Sequence, residues 1–137
     1  MWTQTVAPDE ISASINHAAH LFQRQVEKIA DVRVTVVGDK IFPVRIDGAS
    51  GLDWRRHYPE LSYSLIEAPS PIAGAIRAYL DRLGLIFGAF DFALTREDEW
   101  IFLECNPNGQ WAWFPEPIPA RIASAIADHL QLAKDRA

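Results

Sequence analysis

The chain has 137 residues, 49% of them hydrophobic, which is enough for one domain with a proper core and too apolar for a disordered segment. Its formal charge of -5, with no basic block or arginine-rich helix, argues against nucleic-acid binding. One cysteine excludes an intramolecular disulfide, and a polar start with no apolar run near ~18 residues excludes a signal peptide or membrane span, so a cytoplasmic protein is expected.

In chain order, "TQTVAPDEISASINHAAH" reads as a short strand and then a helix. Pro8 sits early in that helix, with Asp9 and Glu10 in its first turn, where carboxylates suit the helix dipole. "LFQRQV" reads as another short strand. "DVRVTVVGDKIFPVRID" is the clearest hairpin, two β-branched runs about Gly38-Asp39, and Pro43 points to an edge or a bulge in its second strand. "GASGLDWRRHYPE" reads as a loop of charged and aromatic residues. "SPIAGAIRAYLDRLG" is an amphipathic helix closed by Gly84. "IFGAFDFALTREDEWIFLECN" is a second hairpin, and "PARIASAIADHLQLAKDR" a closing helix. The pattern is α+β, an antiparallel sheet with packed helices.

The second hairpin carries the chemistry. With an even-length tip centred between Glu97 and Asp98, Asp91 faces Glu104 and Ala89 faces Asn106, while Ala93 faces Phe102 and Thr95 faces Trp100. The opposite face pairs Phe90, Phe92 and Leu94 with Cys105, Leu103 and Ile101, and is wholly apolar. Directly opposed side chains have Cβ atoms about 4.5–5.5 Å apart, and like charges there repel. Two such carboxylates either share a proton or neutralise a cation. Oxygen-only ligands on paired strands suit Mg²⁺, with phosphate and water oxygens completing the shell. The same residues could equally be solvent-facing groups on a half-exposed sheet.

Other residues carry weaker signals. His17, His20, His57 and His129 have no metal-ligand spacing among themselves or with Cys105. Cys105 alternates to the apolar face and reads as a core thiol. Trp111 and Trp113 read either as aromatics capping the sheet or as an exposed surface for peptide or nucleotide.

"FGAFDFAL" followed by "FLECNPNGQW" resembles the C-terminal part of an ATP-grasp domain, where a metal-binding acid on one strand is followed by an E-x-N pair on the next. More narrowly, the ordered set "LFQRQVEKIADVRVTVVGDKIFPVRID", "DWR", "LGLIFGAFDFAL" and "ECNPNGQWAW" resembles the RimK-like ATP-grasp maturases of ribosomal peptides, the graspetide or microviridin-type ligases. The resemblance implies ATP and Mg²⁺ as cofactors, with Asp91, Glu104 and Asn106 as metal ligands. It implies that Arg24, Gln25 and Val26 form the segment whose backbone reads adenine, and that Asp31 meets the ribose. Arg33 and Arg55 would face the transferred phosphate or the acyl-phosphate. Related hinges often read Glu and then an aromatic where Arg24 and Gln25 stand here.

The implied activity is an ATP-dependent ligation that joins side chains of a ribosomal precursor peptide through an ester or amide. The grasp's first lobe supplies phosphate-binding lysines and a glycine-rich loop, and neither is recognisable before residue 23. Residues 1–137 are therefore expected to be one domain equivalent to the second lobe, needing a first lobe or a full-length homologue as partner. Three readings stay open: a lobe of a working ligase, a binding module without catalysis, and a structural remnant. An exposed sheet edge and the seam left by a first lobe make a homodimer plausible.

Overall fold

In the computed structural model, the described residues are 3–48, 51–53 and 60–134. Five strands form one antiparallel sheet: β1 (Ala30–Val37), β2 (Lys40–Asp47), β3 (Ser62–Leu65), β4 (Phe87–Leu94) and β5 (Trp100–Asn106). The strand order is β3-β2-β1-β4-β5, which puts β1 at the centre and β5 on an edge. Helices α1 (Ser70–Leu83) and α2 (Ile118–Lys134) complete the fold. The α+β class read from the sequence is the one observed.

The sheet is covered on both faces. Opposed residues of an antiparallel pair point to the same side, so the register assigns the faces. On one face Val32, Val34, Val36, Phe90, Phe92 and Leu94 bury against Ile76 and Leu80 of α1. That helix ends as its sequence promises, on Gly84 in the left-handed region at φ 62°, where a Cβ would be strained. On the other face Val37, Val44 and Phe114 form a second core with Ile118, Ile122 and Ala125 of α2. The polar residues of that face lie beyond this second core, so it is not simply a solvent face.

Several local expectations fail, each for a physical reason. The N-terminal strand and helix are absent. Two short 3-10 turns, Pro8–Glu10 and Ala13–His17, stand there instead, and most of this segment is exposed, so no tertiary face supports a longer helix. "LFQRQV" forms no strand; the Gln23 side chain ties it to the sheet by donating to the Leu103 carbonyl at 2.9 Å. Pro43 is in neither a bulge nor an edge strand. It pairs with Val34 in an unbroken register, and β3 pairing begins only at Val44, so its missing N–H costs no ladder bond on that side. β3 itself is too short to announce itself in the sequence.

The second hairpin matches expectation near the site and departs from it near the tip. Asp91 pairs with Glu104, Ala89 with Asn106 and Phe90 with Cys105. Beyond a bulge between Asp91 and Phe92, Phe92 pairs with Phe102, Ala93 with Ile101 and Leu94 with Trp100. The tip is odd in length. Thr95 N–H donates to the Glu99 carbonyl, and Asp98 takes a positive φ of 59°, the pattern of a three-residue loop closed by a left-handed residue. The extra residue of the bulge, at Leu103, offsets the odd tip and restores the expected register at the site. Phe102 consequently turns to the apolar face, against Tyr79, Phe90 and Phe92.

Candidate metal and phosphate site

The central strand places Asp31, Arg33 and Thr35 on one face, and all three are buried. Through the register, Arg33 lies opposite Asp91 of β4, and Asp91 opposite Glu104 of β5. Asn106 follows two residues on, opposite Ala89. Arg33, Asp91 and Glu104 thus meet in one row across three strands, with Asp31 one step to one side on the same face, opposite Ala93, and Asn106 one step to the other. A plain surface arginine is excluded, since Arg33 is 8% exposed.

The row is held by charge. Arg33 Nη1 donates to both Asp91 oxygens, at 2.9 and 2.8 Å. Arg33 Nη2 donates to the Gln110 carbonyl at 3.3 Å, and Arg33 Nε is buried without a partner. Burial pushes the Asp91 carboxyl up to about 6, Arg33 pulls it down, and the neighbouring Glu104 carboxylate pushes it up again. Glu104 and Asn106 are exposed, so the row runs from a buried arginine to solvent-facing oxygens.

The "NPNGQ" turn after β5 closes one side of this row. Asn106 Oδ1 accepts the Asn108 N–H at 2.9 Å, an Asx turn, and Gly109 N–H donates to the Asn106 carbonyl at 3.2 Å. Gly109 is packed so closely that a Cβ there would stand 2.3 Å from Ala89 Cβ and 2.8 Å from Arg33 Nη2. The space that the small alanine leaves is therefore filled by backbone. Gly109 and the Gln110 carbonyl were not singled out by the sequence reading; a glycine inside "NPNG" after a strand was the available signal.

Asp91, Glu104 and Asn106 offer only oxygen donors, two carboxylates and one amide, a set that fits Mg²⁺ with water and phosphate oxygens as the other ligands. The amide oxygen of Asn106 keeps a lone pair beside the one used by Asn108. Among the described residues, no group of three His, Cys, Asp or Glu side chains forms a metal cluster, so His17, His20, His129 and Cys105 form no such cluster there; His57 lies outside the described residues. Cys105 is half-buried against the α1 core, and burial pushes its thiol up.

Three of the residues expected at the nucleotide, Gln25, Val26 and Asp31, line one cavity. A cavity of about 350 Å³ is lined by Thr5, Gln25, Val26, Lys28, Asp31 and Leu52, among others. Arg24 is exposed and does not line it. Lys28 Nζ binds both Asp31 oxygens at 2.7 Å and the Leu52 carbonyl at 3.0 Å, a lysine that the sequence reading missed. Arg55 lies outside the described residues. Trp111 and Trp113 are partly buried in the second core, and Trp113 meets Tyr63 edge-on, so these aromatics chiefly cap the sheet.

Comparison with known structures defines the class. No family model matches the chain, and neither does any curated protein. Among solved structures, macrocyclase MdnB of Microcystis aeruginosa MRC is 30% identical with a TM-score of 0.65, over 93% of this chain and 46% of its own. Macrocyclase MdnC of the same organism, solved with precursor peptide MdnA, is 30% identical with a TM-score of 0.67, over 79% of this chain and 34% of its own. A RiPP-associated ATP-grasp ligase of Chryseobacterium gregarium, solved with ADP and a leader and core peptide, is 29% identical with a TM-score of 0.67, over 84% and 36%. The chain spans between about a third and a half of the length of these ligases. The fold is thus part of an ATP-grasp domain. Within that class, the chain's likeness is to the ATP-grasp ligases that mature ribosomal peptides. The more distant ligase PsnB, solved with Mg, ADP and a minimal precursor, shares the fold at 20% identity and a TM-score of 0.54.

Proposed function

We propose that this chain is the second lobe of an ATP- and Mg²⁺-dependent carboxylate ligase that cross-links side chains of a ribosomal precursor peptide. The observation that carries the reading is the row of Arg33, Asp91 and Glu104, flanked on the same sheet face by Asp31 on one side and Asn106 on the other, with Asp31 lining the cavity that Gln25 and Val26 also line. The likeness to two macrocyclases and a peptide-bound ligase supports the substrate class.

In the reaction, a peptide carboxylate oxygen attacks the γ-phosphorus of ATP and ADP leaves. A hydroxyl or amine of the same peptide then attacks the acyl carbon, and phosphate leaves with one proton lost. The net change is one water removed from the peptide per cross-link. Mg²⁺, when bound, would supply charge neutralisation for the phosphates. Asp91, Glu104 and Asn106 supply the oxygens that hold it, and Arg33 keeps a fixed positive charge at the same end of the face. The cavity beside Asp31 receives the adenosine, with Gln25 and Val26 along its wall. Arg55 is the second arginine assigned to the transferred phosphate. Phosphate-binding lysines come from a first lobe or a full-length partner, and without them the lobe should be nearly inert.

The test is dehydration of a precursor peptide. The protein, supplied with a first lobe in trans, ATP, Mg²⁺ and a precursor peptide of the kind its structural relatives bind, should yield peptide lighter by one water per cross-link. Glu104→Gln should abolish that mass loss. Unchanged peptide, from a mixture in which a full-length relative cross-links its own substrate, would reject the ligase reading and favour a binding module.

A further inference from the structure

We propose that Arg33 is a built-in counter-cation for Asp91, occupying the carboxylate where a metal ion would sit and giving up part of that hold when one binds. The inference rests on the reading of Asp91 as a metal ligand and assigns Arg33 a positioning role in the same row.

The ion pair is not built as a permanent one. A guanidinium best binds a carboxylate as a fork, with two nitrogens each donating to one oxygen. Here a single nitrogen, Nη1, spans both oxygens. Nη2 makes only a long bond of 3.3 Å to Gln110, and Nε has no partner although Arg33 is 8% exposed. Leaving a buried donor unpaired is costly, so the pose is under-satisfied where a structural ion pair would be saturated. Among the described residues, a second orphaned buried polar atom, Thr35 Oγ1, lies two residues along the same face of β1, an acceptor available to a guanidinium that shifts.

The electrostatics call for a cation at this point. Asp91 stands opposite Glu104, and the two carboxylates repel. Arg33 Nη1, 2.8 Å from an Asp91 oxygen, supplies positive charge there from the central strand. Gly109 packs beside Nη2, where an added Cβ would stand 2.8 Å away, so the guanidinium approaches Asp91 from the β1 side while Glu104 faces it from β5.

Competition for one carboxylate gives a distinctive signature. Removing an opposing charge within ~4–6 Å changes a carboxylate's affinity for a cation by tenfold or more. Calorimetric titration with MgCl₂ alone, above pH 7, should show weak binding to the wild type, at least tenfold tighter binding to Arg33→Met, and none to Asp91→Asn. A merely structural arginine would give equal or weaker binding in Arg33→Met, which overturns the proposal. The wild type provides a second readout that does not depend on the variant folding. Saturating Mg²⁺ should shift or broaden the Arg33 guanidinium ¹⁵N signals and leave those of Arg45, paired with Asp47, unmoved. Binding that is lost in Asp91→Asn but leaves Arg33 signals unchanged overturns the proposal and spares the metal-site reading. Absence of any Asp91-dependent binding overturns both.

Discussion

Gly109→Ala is the substitution for which the structure gives the sharpest expectation. The added Cβ would lie 2.3 Å from Ala89 Cβ and 2.8 Å from Arg33 Nη2, against a comfortable carbon–carbon contact of ~3.5–4.0 Å. Ala89 does not yield easily, as a fully buried residue of a paired strand, whereas the end of the Arg33 side chain can shift. Overpacking of this kind costs about 1–3 kcal/mol, and the upper half of that range is expected because the overlap is with a strand. For a chain of this size each kcal/mol lowers Tm by roughly 3–5 °C. Urea and thermal unfolding followed by circular dichroism measure the change. The double variant Gly109→Ala/Ala89→Gly removes the first overlap and should recover part of the loss, although glycine in a strand costs about 0.5–1 kcal/mol of its own. A Gly109→Ala protein within about 0.5 kcal/mol of wild type, or no recovery in the double variant, would refute the close-approach argument.

Three further outcomes follow from the same geometry. Asp91 has its pKa raised from the ordinary 3.8 to about 6, so the native state binds this proton more tightly than the unfolded chain. Its stabilising contribution, on the order of 3 kcal/mol, is complete below pH ~4 and lost as pH rises through 6; urea midpoints across that range should show a slope that Asp91→Asn removes. Asn106→Ala removes one acceptor for the Asn108 N–H at an exposed turn, so stability should fall by no more than about 1 kcal/mol while Mg²⁺ affinity by calorimetry falls much more. Leu80→Ala, at a position 3% exposed beneath the sheet, should cost about 2–5 kcal/mol in urea unfolding and leave the metal affinity of the folded protein unchanged.

Much of this arrangement could be read from the sequence because two kinds of signal reinforced each other. Alternation in "FGAFDFAL" and "FLECN" separates a greasy side from a polar one, and centring the tip between Glu97 and Asp98 sets Asp91 opposite Glu104. An even-length tip gives the observed pairing at the site because the bulge at Leu103 cancels the odd loop. Phe102 shows the cost of not seeing that bulge, since it was assigned to the site face and lies on the core face. What the sequence could not show was non-local. The Arg33–Asp91 contact joins residues 58 apart, and nothing in "DVRV" says which carboxylate its arginine will meet. Lys28 on Asp31 depends on where the chain turns before β1. The N-terminal segment misled for a related reason: local propensity suggested a helix, but no apolar surface lies beneath it to repay the ordering.

The two cores explain why the polar row stands where it does. α2 and Phe114 cover one end of the sheet face, and the "NPNGQ" turn folds over Ala89, so the uncovered part of that face is the strip carrying Glu104 and Asn106. The strip is thus a consequence of how far α2 reaches.

The most direct test of the account is Mg²⁺-dependent ATP binding by the protein, measured by calorimetry with Asp91→Asn and Glu104→Gln, each confirmed as folded. Binding that requires Mg²⁺ and is lost in both variants is the predicted result. Binding that is indifferent to Mg²⁺ or survives both substitutions, or no binding by the folded wild type at millimolar ATP, would contradict the assignment of this sheet face as the metal and phosphate half of an ATP-grasp site.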